Sequence, residues 1–154
     1  MDRDAEIFQA LGDTTRLRLL NIFDQTGEIC VCELVDALRI PQYNISRHLQ
    51  LLASSGWVED RRQGKWVYYR IARQLKPYQR DLLRAIEHLR DERGDFHDDE
   101  ARAGRRFKLR RNGLCCVGLV TKIGLATSRK AGRTSSPEGD AGEIEKGNLI
   151  LRKS

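Results

Sequence analysis

Apolar residues recur at helical spacing along the first part of the chain and then switch to alternation. Ile7, Phe8, Ala10 and Leu11 form a short helical face that Gly12 closes. Asp13 is placed to cap a second helix with Leu17, Leu20 and Phe23 at helical spacing, and Thr26-Gly27 breaks it. Val31, Leu34, Val35 and Leu38 fall at i, i+3, i+4 and i+7, a clear amphipathic helix. Pro41 then opens another helix, with Ile45, Leu49 and Leu52 inward and Asn44, Ser46, Arg47 and Gln50 outward. Ser55-Gly56 stops it. Two β-rich runs follow, residues 57–62 and 65–71, joined by Gln63-Gly64 as a hairpin turn. In the second run Val67, Tyr69 and Ile71 alternate with Trp66, Tyr68 and Arg70, as in a half-buried strand. Pro77 opens a last helix carrying Tyr78, Leu82, Ile86 and Leu89 on one side.

After Gly94 this patterning fades. Residues 95–100 are acidic, residues 105–111 are basic, and residues 126–148 are rich in Gly, Ser, Thr, Lys and Glu. The expected organisation is one domain over residues 1–94 and a basic, largely flexible extension over 95–154. Two short helices, a tight connection and a basic hairpin predict a winged helix-turn-helix. The fold class is mainly α with a small β-hairpin wing (α+β).

Charge sharpens this picture. The chain of 154 residues carries a net charge of +6, all of it supplied by residues 93–154. Residues 1–41 are net −4, whereas residues 42–70 are net +3. A basic face on a neutral domain points to nucleic acid. The second helix of such a pair lies in the major groove, so the DNA-contacting set is expected to include Gln42, Tyr43, Asn44, Ser46, Arg47, His48 and Gln50. Arg61, Arg62 and Lys65 on the hairpin would reach phosphates or the adjacent minor groove. Residue by residue, a solvated amphipathic helix beside a charged turn would look the same. The helix-helix-hairpin order is what favours DNA.

The chain opens Met-Asp-Arg-Asp-Ala-Glu, which is no secretory signal. Its longest apolar stretch, residues 114–120, is far too short to span a bilayer. A cytoplasmic protein without membrane contact is the expectation. In that reducing setting the four cysteines, paired as Cys30/Cys32 and Cys115/Cys116, are buried, reactive or metal-binding more often than disulfide-bonded. The first pair sits ten residues upstream of the DNA-reading helix.

Three motifs occur in order: Leu11-Gly12-Asp13-Thr14-Thr15-Arg16-Leu17, Glu28-Ile29-Cys30-Val31-Cys32-Glu33-Leu34, and Ile45-Ser46-Arg47-His48-Leu49-Gln50-Leu51-Leu52. Together they closely resemble the ArsR-type (arsenic repressor) metal-sensing transcriptional repressors, over roughly residues 5–92. The resemblance implies a homodimeric winged-helix repressor that binds a palindromic operator and leaves it when trivalent arsenic or antimony binds. It implies dimerisation through the first and last helices, here Ile7, Phe8, Leu11, Tyr78, Leu82, Ile86 and Leu89. It also implies that Cys30 and Cys32 supply two thiolates. A third thiol often stands three residues after the second, where this chain has Val35. Either two protein thiols suffice, or Cys115 or Cys116 completes the set from the same or the partner subunit, or the vicinal pair forms its own site.

Thiolates suit soft ions. On an ideal helix, positions i and i+2 are about 200° apart, so metalloid capture by Cys30 and Cys32 is expected to need an unwound first turn. A helix N-terminus would lower the thiol pKa, with Glu28 and Glu33 opposing it. Arg110 and Arg111 would favour thiolates at Cys115 and Cys116, whose alternative is an incidental tail pair. No cofactor is expected, and the metalloid acts as inducer. An enzyme is disfavoured: no Cys-x5-Arg oxyanion cradle, Gly-rich phosphate loop, HExxH or GxSxG occurs. The competing readings are the same fold responding to thiol redox state or to cadmium, lead or zinc.

Overall fold

A computed structural model describes residues 2–89 and 94–120. The tail expected over residues 126–148 lies outside the described residues. Helices α1 (Asp2–Ala10), α2 (Thr14–Thr26), α3 (Val31–Leu38), α4 (Gln42–Ser54), α5 (Pro77–Glu87) and α6 (Asp95–Phe107) surround a small sheet of β1 (Ile29–Cys30), β2 (Val58–Gln63) and β3 (Trp66–Ile71). The strand order is β1-β3-β2, antiparallel throughout. This is a winged helix-turn-helix: α3 and α4 form the pair, β2 and β3 the wing.

Local chemistry accounts for the boundaries. Asp13 caps α2 by accepting the Arg16 backbone N–H at 3.0 Å. Gly27, at φ 78°, ends that helix. Cys30 is extended (φ −77°, ψ 149°) and precedes the first turn of α3, where the Glu33 carboxylate accepts the Cys30 N–H at 2.9 Å. The wing turn falls one residue later than its sequence reads. Gln63 pairs with Trp66, so the loop is Gly64-Lys65, and Gly64 takes the positive φ.

The core joins Leu19, Leu20, Ile22 and Phe23 of α2 to Leu34, Val35 and Leu38 of α3, and to Ile45, Leu49 and Leu52 of α4. Trp57 is fully buried, and its Nε1 donates to the Ile7 carbonyl at 3.0 Å, which fastens α1 to the body.

Two expectations are corrected. First, Ile7 and Ile86 do not face outward; both lie inside this chain's own core with Leu83. The α5 register is rotated, because Gln79, Leu83 and Ile86 take the inner face. Tyr78, stacked on Phe8 with ring centroids 5.8 Å apart, and half-buried Leu82 stand at its margin, and Leu89 is exposed. Second, the chain beyond Gly94 is not simply an extension. Residues 95–107 form α6, which packs on α2 and α3. Its inner face mixes Ala103, Phe96 and Phe107 with buried Asp99 and Arg106, which hid it from a search for apolar periodicity. Asp99 accepts a bidentate pair from Arg18 at 2.7 Å, and Asn21 donates to Glu100 at 2.8 Å.

The Trp57 contact is testable. Trp57→Phe leaves the Ile7 carbonyl buried without its donor. It should cost about 1–3 kcal/mol, read as a lower urea midpoint with unchanged slope. An unmoved midpoint would remove this bond from the fold's support.

Candidate thiol site and nucleic-acid interface

The two motif cysteines are held on either side of a structural boundary. Cys30 ends β1 and pairs with Tyr68 of β3, whereas Cys32 lies in the first turn of α3. Because Cys30 is extended, the helical angle between i and i+2 does not apply. Their sulfurs are 3.3 Å apart because Cys30 is already held outside the helix, so the turn at Cys30 is kept unwound and no further disruption of α3 is needed.

A third sulfur joins them from the far end of the chain. Cys115 Sγ lies 3.2 Å from Cys32 Sγ, and all three sulfurs fall within 4.8 Å of one another. Each of these cysteines is buried. Cys116 is not in the cluster: it is exposed, with its thiol directed to the Leu109 carbonyl at 3.1 Å. Val35 is fully buried in the hydrophobic core.

Asn112, Gly113, Asp36 and Arg106, absent from the sequence reading, join Tyr68, Glu33 and Arg110 in holding Cys115 in place. The chain reverses at Asn112 (φ 51°) and Gly113 (φ 74°), with Arg111 and Leu114 exchanging backbone hydrogen bonds at 3.0 and 2.9 Å. Asn-Gly is a strong sequence signal for such a turn. The Cys115 N–H donates to the Tyr68 hydroxyl at 2.9 Å. Arg106 pairs with Asp36 at 2.9 Å and donates to the Val117 and Gly118 carbonyls. Asp36 also accepts the Val120 N–H. Arg110 grips buried Glu33 with two bonds of 2.8 and 2.7 Å.

The thiols are electrostatically unequal. Cys30 is lowered to about 6, chiefly because the Cys32 thiol donates to it, with Cys115 adding to this against burial and the Glu33 charge. Cys32 is raised, first as that donor and then by burial. Burial also raises Cys115, and its contact with Cys32 and the Arg106 charge act the other way. Arg106 Nη2 stands 3.8 Å from Cys32 Sγ and 3.9 Å from Cys115 Sγ. The arrangement makes Cys30 the most acidic of the three thiols. Three convergent sulfurs can take up a soft ion, and adjacent thiols can form a disulfide.

The residues expected to read DNA stand close by. On α4, Gln42, Tyr43, Asn44, Arg47 and Gln50 are exposed, and Ser46 is half-buried. Arg47 lies over the Tyr43 ring at 5.7 Å. His48 Nδ1 is 3.6 Å from Asp13, so this side chain is drawn toward the cap of α2. The wing arginines divide. Arg62 and Lys65 line a cleft of about 390 Å³ with Gln42, Ser46 and Gln50. Arg61 sits opposite Tyr68 on the other face, over that ring at 4.8 Å and paired with Glu28 at 2.5 Å. Cys30, Cys32, Gly118 and Leu119 line the same cleft as the reader.

Residues 13–60 match the family described as bacterial regulatory protein, arsR family. The arsenic resistance transcriptional regulator ArsR2 of Pseudomonas putida is 46% identical over 78 residues, covering 51% of this chain and 68% of that protein. The chain belongs to the ArsR family. The arsenical resistance operon repressor of Escherichia coli is 49% identical over 67 residues, 44% of this chain and 57% of the repressor. A cadmium resistance transcriptional regulatory protein CadC homolog of Staphylococcus aureus is 37% identical over 65 residues, 42% of this chain and 54% of its own. HlyU from Vibrio cholerae N16961 shares the fold, with a TM-score of 0.50 and 22% identity over 56% of this chain and 89% of its own. Membership makes this ArsR-family chain a helix-turn-helix transcriptional regulator and not an enzyme. Cys30 and Cys32 lie inside the matched residues 13–60, whereas α6 and Cys115 lie beyond them. No helix among the described residues is long and apolar enough to cross a membrane.

The thiol inequality predicts a titration. Far-ultraviolet thiolate absorbance should develop with a midpoint near the Cys30 value of about 6. In Cys32→Ala, which removes the main donor, that midpoint should move upward toward an ordinary thiol. An unchanged midpoint would assign the thiolate elsewhere.

Proposed function

We propose that this ArsR-family regulator represses transcription as a homodimer on a palindromic operator, and that trivalent arsenic or antimony bound by Cys30, Cys32 and Cys115 releases it. The observation carrying this reading is the convergence of three buried sulfurs within 4.8 Å. Relatives named for arsenic resistance support the choice of ion. A cytoplasmic setting keeps the thiols reduced. Gln42, Tyr43, Asn44, Ser46, Arg47 and Gln50 read the major groove, Arg62 and Lys65 hold phosphates, and the Phe8 and Tyr78 margin meets the second copy. Cys116 stays outside the trap.

Coupling runs through the shared cleft. Capture of Cys115 fixes Gly118 and Leu119 against the wall that also holds Gln42, Ser46 and Arg62. A small shift per subunit is enough, because dimeric readers engage half-sites about 34–36 Å apart. A coupling of about 3 kcal/mol weakens operator affinity on the order of 100-fold.

One observation favours a second reading. The Cys32 and Cys115 sulfurs touch at 3.2 Å beside the acidic Cys30 thiol, which suits oxidation of a dithiol. A cadmium-type response has the S. aureus relative in its support.

Operator binding by fluorescence anisotropy under reducing conditions, titrated with arsenite, separates these readings. Cys115→Ser should bind operator normally but need at least about tenfold more arsenite for release, and Cys116→Ser should respond like the parent. Release unaffected by Cys115→Ser would exclude the third thiol. Release by peroxide but not arsenite would favour the redox reading.

Salt dependence tests the wing. Arg62→Ala should flatten the log–log salt slope by about 0.9, whereas Arg61→Ala, already held by Glu28, should change it less. Equal effects would contradict the division of the two arginines.

A further inference from the structure

An open cavity of about 230 Å³ lies where the end of α3 meets α6, walled by Arg39, Arg102, Arg105 and Arg106 with Asp36 and Val120. Positions 102, 105 and 106 are spaced i, i+3 and i+4 on α6, which brings their side chains to one face. Arg39 comes from the other helix. It ends α3 in the left-handed region at φ 56°, a place that glycine or asparagine ordinarily takes.

These walls carry more positive charge than their partners cancel. Arg106 is paired with Asp36 at 2.9 Å, and Arg102 with Asp99 at 2.6 Å and Asp98 at 3.8 Å. Asp99 is shared with Arg18. Arg39 and Arg105 are exposed, and neither has an ion-pair or hydrogen-bond partner among the described residues. Buried Arg106 also keeps one donor, Nη1, without an acceptor among them. Guanidinium groups present planar N–H forks that match phosphate oxygens.

The place of the cavity says which anion can reach it. Arg39 stands three residues before Gln42, where the helix expected to read DNA begins. Gly118 and Leu119 line the cleft that also holds Gln42, Ser46 and Arg62, and the next residue, Val120, lines the arginine cavity. The two openings are therefore neighbours along one short segment. A duplex against α4 carries its row of phosphates past the groove that the helix fills.

We infer that Arg39 and Arg105, backed by Arg102 and Arg106, form a further phosphate-binding site, which takes a phosphodiester of the DNA backbone beside α4. This rests on the proposed DNA-reading role of that helix. Free inorganic phosphate offers the same oxyanion to the same donors, so measurement separates the two sources.

The test uses the full chain with Arg39→Gln, Arg105→Gln and the double variant. Arg80→Gln, at an exposed position of α5 outside the cavity, is the control. Operator binding is followed by fluorescence anisotropy across a salt series. Each cavity variant should flatten the log–log salt slope by about 0.9 and the double variant by about 1.8, with the control nearly unmoved. Inorganic phosphate is titrated separately by calorimetry into the parent and the double variant. If the slopes hold, but the parent binds phosphate and the double variant binds it at least about tenfold more weakly, the site stands and its ligand is the free ion. Slopes that hold without such phosphate binding overturn the inference. So does flattening by Arg80→Gln as large as that of the cavity variants. A parent that binds no operator duplex overturns the operator reading, and the phosphate titration then decides the site by itself.

Discussion

The position of Cys115 depends on α6 lying antiparallel along α3, and two buried ion pairs hold it there. Asp36 and Glu33 project from one helix to Arg106 and Arg110 beyond it, at 2.9 and 2.7 Å. Such pairs add little net stability over apolar packing, but breaking one strands a buried charge. Their contribution is placement. An apolar contact would let α6 slide by a turn with small loss, whereas the bidentate Arg110–Glu33 pair and the single Arg106–Asp36 bond fix the register. With Arg106 and Arg110 fixed, the Asn112-Gly113 turn has one place to deliver its cysteine.

The same ladder joins the trap to the reader. Asp36 accepts the Val120 N–H as well as pairing with Arg106, so the segment after Cys115 is tied to the middle of α3. Leu119 packs against both the main core and the thiol cluster. The cleft beyond it holds the outward face of α4. The sulfurs, the C-terminal segment and the wing thus share one boundary, and no element needs to melt for the first to act on the last.

The helix-turn-helix and wing were legible because they obey simple periods. Most positions that i, i+3, i+4 spacing marks in α2 to α4 are buried, although Leu17 and Val31 are half-buried. Helix α2 also buries Leu19 and Ile22, and Asp13 caps as its type prescribes. The wing turn was misplaced by one residue because Gly64 serves either register from sequence alone. Helix α6 was not legible. Its inward residues include Asp99 and Arg106, so its pattern reads as surface until partners 70 or more residues away are known. Those partners, Arg18 and Asp36, each look like ordinary surface charge in the sequence. The thiol geometry was half legible: the pairing of Cys30 with Cys32 is local. Its ease came from an extended Cys30 held by β3, which a helical-wheel argument misses.

Val35 makes the distance of the third thiol consequential. Its site is sealed in the core, so α3 offers only Cys32, joined by Cys30 at the end of β1. The third sulfur lies 83 residues downstream of Cys32, and its arrival requires α6 to be docked. An ion that binds only the docked form must stabilise that form by mass action. On the proposed metalloid reading, ion binding and α6 docking are therefore two halves of one equilibrium. Anything that loosens the Asp36–Arg106 or Glu33–Arg110 pair weakens three-sulfur capture without touching a ligand, and capture in turn tightens both pairs.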